Sequence, residues 1–202
     1  MAYFPFFVDL SGKVGLIVGG GIVALRKIEK LMPFGPILTV AAPKFLPEVE
    51  TCSGLILLQQ PFAAELLDGK AFVIAATDDA AVNREIAALC RERNIPVNVV
   101  DDPDACTFLF PALVKQGDLT VGISTGGASP SAAVWVKEQV EEFLPERMDE
   151  ILAYLGELRR RIKDLPAERM RLFKAAFDVC MELGRPLTDE ELETLIKEGR
   201  CG

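Results

Sequence analysis

The chain has 202 residues, of which 50% are hydrophobic and 26% charged, with a formal net charge of −8. That is the composition of a globular protein with a substantial core, and it disfavours general nucleic-acid binding, which needs a basic footprint. There is no histidine, so acid–base work falls to carboxylate, lysine, tyrosine, cysteine or water.

The predicted elements alternate in the first half. "VGLIV" (14–18) reads as a fully apolar strand, and "GIVALRKIEKLM" as a helix. There Ile22, Val23, Ile28 and Leu31 fall at helical spacings, with Arg26, Lys27, Glu29 and Lys30 outside. Strands follow at 37–42, 55–59 and 71–77. A helix then begins at an Asp78 or Asp79 cap, with Ala81, Ile86 and Leu89 inward. "PVNVVD" (96–101) is a fifth strand, so that Asp101 ends it. Strands apolar throughout and separated by helices imply a parallel sheet covered on both faces, ending near residue 113.

The middle changes character. "LTVGIS" (119–124) reads as a strand after a Gly117-Asp118 turn, and "TGGASP" as a second glycine-rich turn. A helix over 131–144 carries Ala133, Val136, Val140 and Phe143 on one face. From Pro145 only helices are predicted. The first sets Ile151, Leu155, Leu158, Ile162 and Leu165 at intervals of three and four, the second starts at Pro166, and the third opens on a Thr188-x-x-Glu191 capping box.

No apolar run reaches the roughly 18 residues of a membrane span. The start "MAYFPFFVDLSGK" lacks a basic region and a small-residue cleavage site, so a cytoplasmic location is expected. The cysteines, 52, 90, 106, 180 and 201, are odd in number and show no CxxC spacing. They read as reduced thiols rather than a disulfide framework or metal site.

Gly19-Gly20-Gly21-Ile22-Val23-Ala24 fits G-x-G-x-x-A between a strand and a helix. Gly19 suits a tight turn, Gly21 a close approach of pyrophosphate, and Ala24 close helix–strand packing. The acid expected about 20 residues on is absent: the second strand ends in Ala41 and Ala42, with Lys44 nearby to meet a 2′-phosphate or remain solvated. Thr77 and Asp78 end a strand, where open α/β sheets hold ligands. "NVVDDPDACTF" places Asp101 at the crevice and Asp102 and Asp104 at turn positions. "STGGASP" presents amides to an anion or simply caps a helix with Ser129. Residues 159–174 hold seven basic side chains against Asp164 and Glu168, which is a solvated helix face or a receiver of carboxylates.

Together, "VGLIVGGGIVALRK", "FVIAATDDAAVN", "VNVVDDPDACTF", "VGISTGGASP" and "LRRRIKDLPAERMRLFKAAF" resemble, in order and spacing, the precorrin-2 dehydrogenase family, the N-terminal module of siroheme synthase that also occurs alone. With no methyltransferase domain following, the chain resembles the stand-alone form. The resemblance implies a homodimer. It divides the chain into a Rossmann-like NAD-binding domain (1–113), a dimerisation segment (114–145) and a small helical domain (146–202).

It also implies oxidation of precorrin-2 by NAD to sirohydrochlorin, and in some members insertion of Fe²⁺. Asp101 is the implied catalyst. Gly19, Gly20, Gly21, Ile22, Val23, Pro43, Lys44 and Thr77 would hold the cofactor. Asn98, Ser124, Thr125, Gly126, Arg159 and Arg160 would meet the tetrapyrrole. Some relatives have Ser-Ser-Gly-Gly where this chain has Ser124-Thr125-Gly126-Gly127. A module that binds NAD(H) without turnover is the alternative. It explains the glycine turn but not Asp101 or the basic tail.

Overall fold

Short runs of Val, Ile, Leu and Ala, interrupted by glycine, proline or aspartate, build a parallel sheet. The computed structural model describes residues 4–162 and 169–199. The chain divides into two units, Phe4–Phe110 and a second from Pro111 onward.

In the first unit β1 (Val14–Val18), β2 (Ile37–Ala41), β3 (Leu55–Leu58), β4 (Phe72–Ala75) and β5 (Val97–Val99) pair in the order β3-β2-β1-β4-β5. Every pairing is parallel, with Leu16 opposite both Thr39 and Val73. The helices are α1 (Ile22–Leu31), the short α2 (Pro47–Thr51) and α3 (Ala80–Glu92).

Alternation along the strands divides the core. Leu16, Val18, Val73 and Ala75 pack with Ile86, Ala87 and Cys90 of α3. Ile17, Val40 and Ile74 pack with Ala24, Ile28 and Leu31 of α1. Each sheet face therefore has its own helix, which makes this a Rossmann-like, doubly wound α/β fold. The strand order reverses between β1 and β4, and their carboxyl ends open a crevice.

Two helix faces differ from the sequence expectation. The buried stripe of α1 is Ala24-Ile28-Leu31; Ile22 lies on the opposite side and is 52% exposed. Lys27 flanks the stripe and is half-buried, with its ammonium 3.9 Å from the Phe110 ring centroid. The α3 stripe is Asn83-Ile86-Ala87-Cys90, opposite Ala81, which is exposed, while Leu89 flanks it. In both helices the later turns define the buried face, and a residue of the first turn lies off it.

The second unit starts with a strand that sequence reading passed over. β6 (Ala112–Gln116) pairs antiparallel with β7 (Leu119–Ile123) around Gly117-Asp118. Its polar end, Lys115-Gln116, hides the apolar signal of Leu113 and Val114. α4 (Pro130–Phe143) is capped by Ser129, whose Oγ accepts from Ala132 N at 3.2 Å. Within this unit α4 buries Ala133, whereas Trp135 is 61% and Phe143 78% exposed.

α5 (Met148–Arg161), α6 (Arg169–Leu183) and α7 (Asp189–Gly199) follow. Ile151, Leu155, Leu158 and Ile162 form their core with Ala176, Cys180 and Leu192. Leu165 and the Pro166 helix start lie outside the described residues. The capping box of α7 is formed: Thr188 N donates to Glu191 Oε2 at 2.8 Å, and Glu191 N to Thr188 Oγ1 at 3.3 Å.

Candidate functional site

The crevice at the reversal point encloses about 670 Å³ and is lined entirely by the first unit. Its floor is the β1–α1 turn. Gly19 has φ +128°, and a Cβ on it would lie 2.2 Å from Ala76 O. Only glycine adopts this turn so close to the neighbouring strand end. A Cβ on Gly20 would lie 2.2 Å from Lys44 O, and Gly20 O accepts from Leu46 N at 2.9 Å. Gly20 thus seats the segment that follows β2.

Gly21 differs. A Cβ there would meet nothing within 4 Å, so its bare backbone opens on the crevice. Gly21 is also the N-cap of α1, and that end has no side-chain cap. The N-terminus of α3, across the crevice, is already satisfied: Asp79 Oδ1 accepts from Ala81 N at 2.8 Å and Val82 N at 3.3 Å. Of the two helix ends, α1 is the one with amides to offer a phosphate. The glycine turn therefore fits a dinucleotide: Gly21 leaves the space and α1 supplies donors and dipole.

Ala41, Ala42, Pro43 and Lys44 form the wall beyond β2, where no carboxylate stands among the lining residues. Lys44 is exposed there. Ile22 and Val23 also line the crevice, which accounts for the exposure of Ile22. The opposite wall is Ala76–Asp79, with Asp79 as the α3 cap and Asp78 left exposed.

Asp101 lines the same crevice, two residues beyond the end of β5 rather than on it. Its φ is +60°, a left-handed conformation that Asp tolerates better than most side chains. The turn, not the strand, aims it. Its neighbours are held separately. Asp102 Oδ1 accepts from Ala105 N at 3.3 Å, and its Oδ2 pairs with Arg84 Nε at 3.4 Å. The Cys106 thiol lies 3.1 Å from Val99 N and 3.2 Å from Val99 O. The Asp101 carboxylate has no hydrogen bond or ion pair among the described residues, although Lys27 feels its charge. Burial pulls the Lys27 ammonium below the usual lysine range, Lys30 adds to this, and Cys106 and Asp101 oppose it.

Thus Gly19, Gly20, Gly21, Ile22, Val23, Pro43, Lys44, Thr77 and Asp101 come together in one crevice. Asn98 does not join them. It is 5% exposed on β5, and its Nδ2 donates to Phe108 O at 3.0 Å and contacts Cys106 Sγ at 3.4 Å. Strand alternation puts it on a buried face.

Ser124, Thr125, Gly126, Arg159 and Arg160 belong to the second unit. Ser124 Oγ accepts from Gly126 N at 3.2 Å, and Thr125 Oγ1 donates to Ser129 O at 3.0 Å. These hydroxyls shape the turn into α4. Arg159 and Arg160 are exposed on α5, and Arg160 pairs with Glu157. Arg161 lies 3.9 Å from Asp189, and Lys174 pairs with Asp178 at 2.6 Å, so acids already answer part of the basic cluster. Lys163, Asp164, Glu168 and the Arg169 side chain lie outside the described residues.

Sequence reading missed Pro61, Phe62 and Val100 in the lining. It also missed Asn83, which lies behind Thr77. A polar residue on an otherwise apolar helical stripe was the available signal for Asn83.

A family model described as "Putative NAD(P)-binding" matches residues 6–112. The chain is 39% identical over 181 residues to a siroheme synthase of Tolumonas auensis, covering 88% of this chain and 39% of that protein. It is 38% identical over 206 residues to siroheme synthase 2 of Cronobacter sakazakii, covering 98% and 45%. The chain thus spans less than half the length of these curated relatives. Among solved structures it is similar to SirC, a precorrin-2 dehydrogenase, with a TM-score of 0.75 and 25% identity, over 99% of this chain and 100% of that one.

Proposed function

Because the chain belongs to the NAD(P)-binding family whose model spans its first unit, we propose that it is the NAD-dependent oxidoreductase that converts precorrin-2 to sirohydrochlorin in siroheme biosynthesis. The observation that carries this reading is one crevice holding both an uncapped, glycine-lined helix end and an unpaired aspartate.

The oxidation removes a hydride and a proton from the macrocycle. NAD, when bound, supplies the hydride acceptor. In a chain without histidine, Asp101 accepts the proton or orients the ring, because its carboxylate is unspent on structure. Gly19 and Gly20 hold the turn in shape, Gly21 leaves room, and the α1 amides would hold the phosphates. Lys44 and Pro43 on one wall and Thr77 on the other would flank the bound cofactor. Ser124, Thr125, Gly126, Arg159 and Arg160 remain candidates for the substrate's carboxylates, with Arg159 the arginine of that pair without an acidic partner among the described residues.

The three-part organisation (1–113, 114–145, 146–202) belongs to this reading. In it, a second copy covers the apolar residues that α4 leaves exposed, chiefly Trp135 and Phe143. A reducing, cytoplasmic setting fits the free thiols Cys52, Cys90, Cys106 and Cys180 among the described residues.

The test is turnover. Purified protein mixed with precorrin-2 and either NAD⁺ or NADP⁺ should produce reduced nicotinamide absorbance, faster with NAD⁺. Tight NADH binding with no turnover would favour a sensing module instead.

A further inference from the structure

Asn83 is the one polar residue on the buried stripe of α3, beside Ile86, Ala87 and Cys90, and is 5% exposed. A buried amide needs partners, and all those of Asn83's side chain are on one residue. Its Oδ1 accepts from Thr77 N at 3.2 Å and from Thr77 Oγ1 at 2.7 Å, and its Nδ2 donates to Thr77 O at 3.0 Å. The peptide groups on both sides of Thr77 are thereby fixed. The amide is spent neither on α3 nor on the sheet.

What Asn83 holds is a wall of the cofactor crevice. Thr77 lines it, and the same chain segment presses on the glycine turn: a Gly19 Cβ would meet Ala76 O at 2.2 Å and Thr77 N at 3.2 Å. The 76–77 peptide is therefore caught between Gly19 on one side and Asn83 on the other. The Thr77 N–H is occupied by Asn83 and cannot be a donor to a ligand. The single hydroxyl proton of Thr77 is shared between Asn83 Oδ1 and Asp79 O at 3.0 Å. Thr77 contributes shape, and Asn83 sets that shape.

We infer that Asn83 is a positioning residue of the dinucleotide site, acting through Thr77 to fix the wall that faces the β1–α1 turn. The inference rests on the NAD reading above and deepens it. The other buried asparagine, Asn98, serves as a contrast. Its Nδ2 donates to Phe108 O and contacts Cys106 Sγ, neither of which lines the crevice.

The test is NADH fluorescence titration of the intact chain, wild type beside Asn83→Ala and Asn83→Asp. The Asp variant keeps the volume and an acceptor but places oxygen against Thr77 O, so it should fold and yet fail to restore the clamp. Each variant should bind NADH about tenfold or more weakly, as expected when a positioning group shifts a site by a fraction of an ångström. In turnover, KM for NAD⁺ should rise by a similar factor while KM for the tetrapyrrole stays within about twofold. A general loss of fold would not produce that split. Wild-type NADH affinity in a folded Asn83 variant, or an equal rise in both KM values, would overturn the inference. Wild-type protein that binds no NADH would overturn the cofactor reading and this inference with it.

Discussion

Replacing Gly21 by alanine separates binding from folding, because the new methyl has room until a ligand arrives. Gly21 has φ −91° and ψ −171°, backbone open to any residue, and its Cβ would meet nothing within 4 Å. As an N-cap, Ala is worse than Gly by about 1 kcal/mol. Restricting the unfolded chain returns about 0.4–1 kcal/mol. The net change in stability is under about 1 kcal/mol, less than about 4–8 °C in the melting midpoint of a domain this size.

In the liganded state the methyl occupies the space into which a pyrophosphate must fit. Overpacking of this kind costs about 1–3 kcal/mol, which corresponds to roughly 5- to 150-fold weaker binding. NADH fluorescence titration and a thermal melt of Gly21→Ala, beside wild type, measure both quantities. Unchanged melting with affinity reduced in that range supports the glycine turn as the phosphate site. Affinity within twofold of wild type would show that the dinucleotide does not approach Gly21.

Gly19→Ala should behave oppositely. Its positive φ and its clash with Ala76 O act in the free protein, so stability should fall by on the order of 2–6 kcal/mol in chemical denaturation. Asp101→Asn removes charge while tolerating the left-handed turn; turnover should fall on the order of 10²- to 10⁴-fold with NADH affinity kept. Asp102→Asn, which keeps the capping oxygen and loses only the exposed Arg84 pair, should lower stability by less than about 1 kcal/mol and reduce turnover far less. Glu191 is held down to about 2 by Arg185, with the Thr188 amide helping. A depressed carboxylate contributes stability above its unfolded value near 4.5 and loses it as pH falls toward 2. Glu191→Gln should flatten the acid denaturation profile across that window, as read by helical circular dichroism.

Much of the sheet was legible because β1 and β4, and β2 apart from Thr39, are apolar runs buried on both faces. β6 was not legible, since it lies in a two-stranded hairpin and mixes Lys115 and Gln116 with its apolar residues. Helix periodicity fixed α1 and α3 but misassigned Ile22 and Ala81, first-turn residues at the rim of the sheet. Within the crevice, the glycine pattern located the tight turn at Gly19 and the open backbone at Gly21. Gly20 matters through its contact with the 44–46 segment, a tertiary approach that spacing does not encode. Asp101 lines the crevice as its position after β5 suggested, although a turn with positive φ carries it. Asn98, from the same motif, is buried on β5 outside the crevice lining, a tertiary placement that the motif does not encode.

A single-turnover experiment tests the central claim most directly. Precorrin-2 is mixed with excess enzyme and NAD⁺, and NADH and sirohydrochlorin are quantified together. Equal amounts of the two, formed by wild type and not by Asp101→Asn, are the predicted result. Sirohydrochlorin without NADH, or neither product despite tight NADH binding, would contradict it.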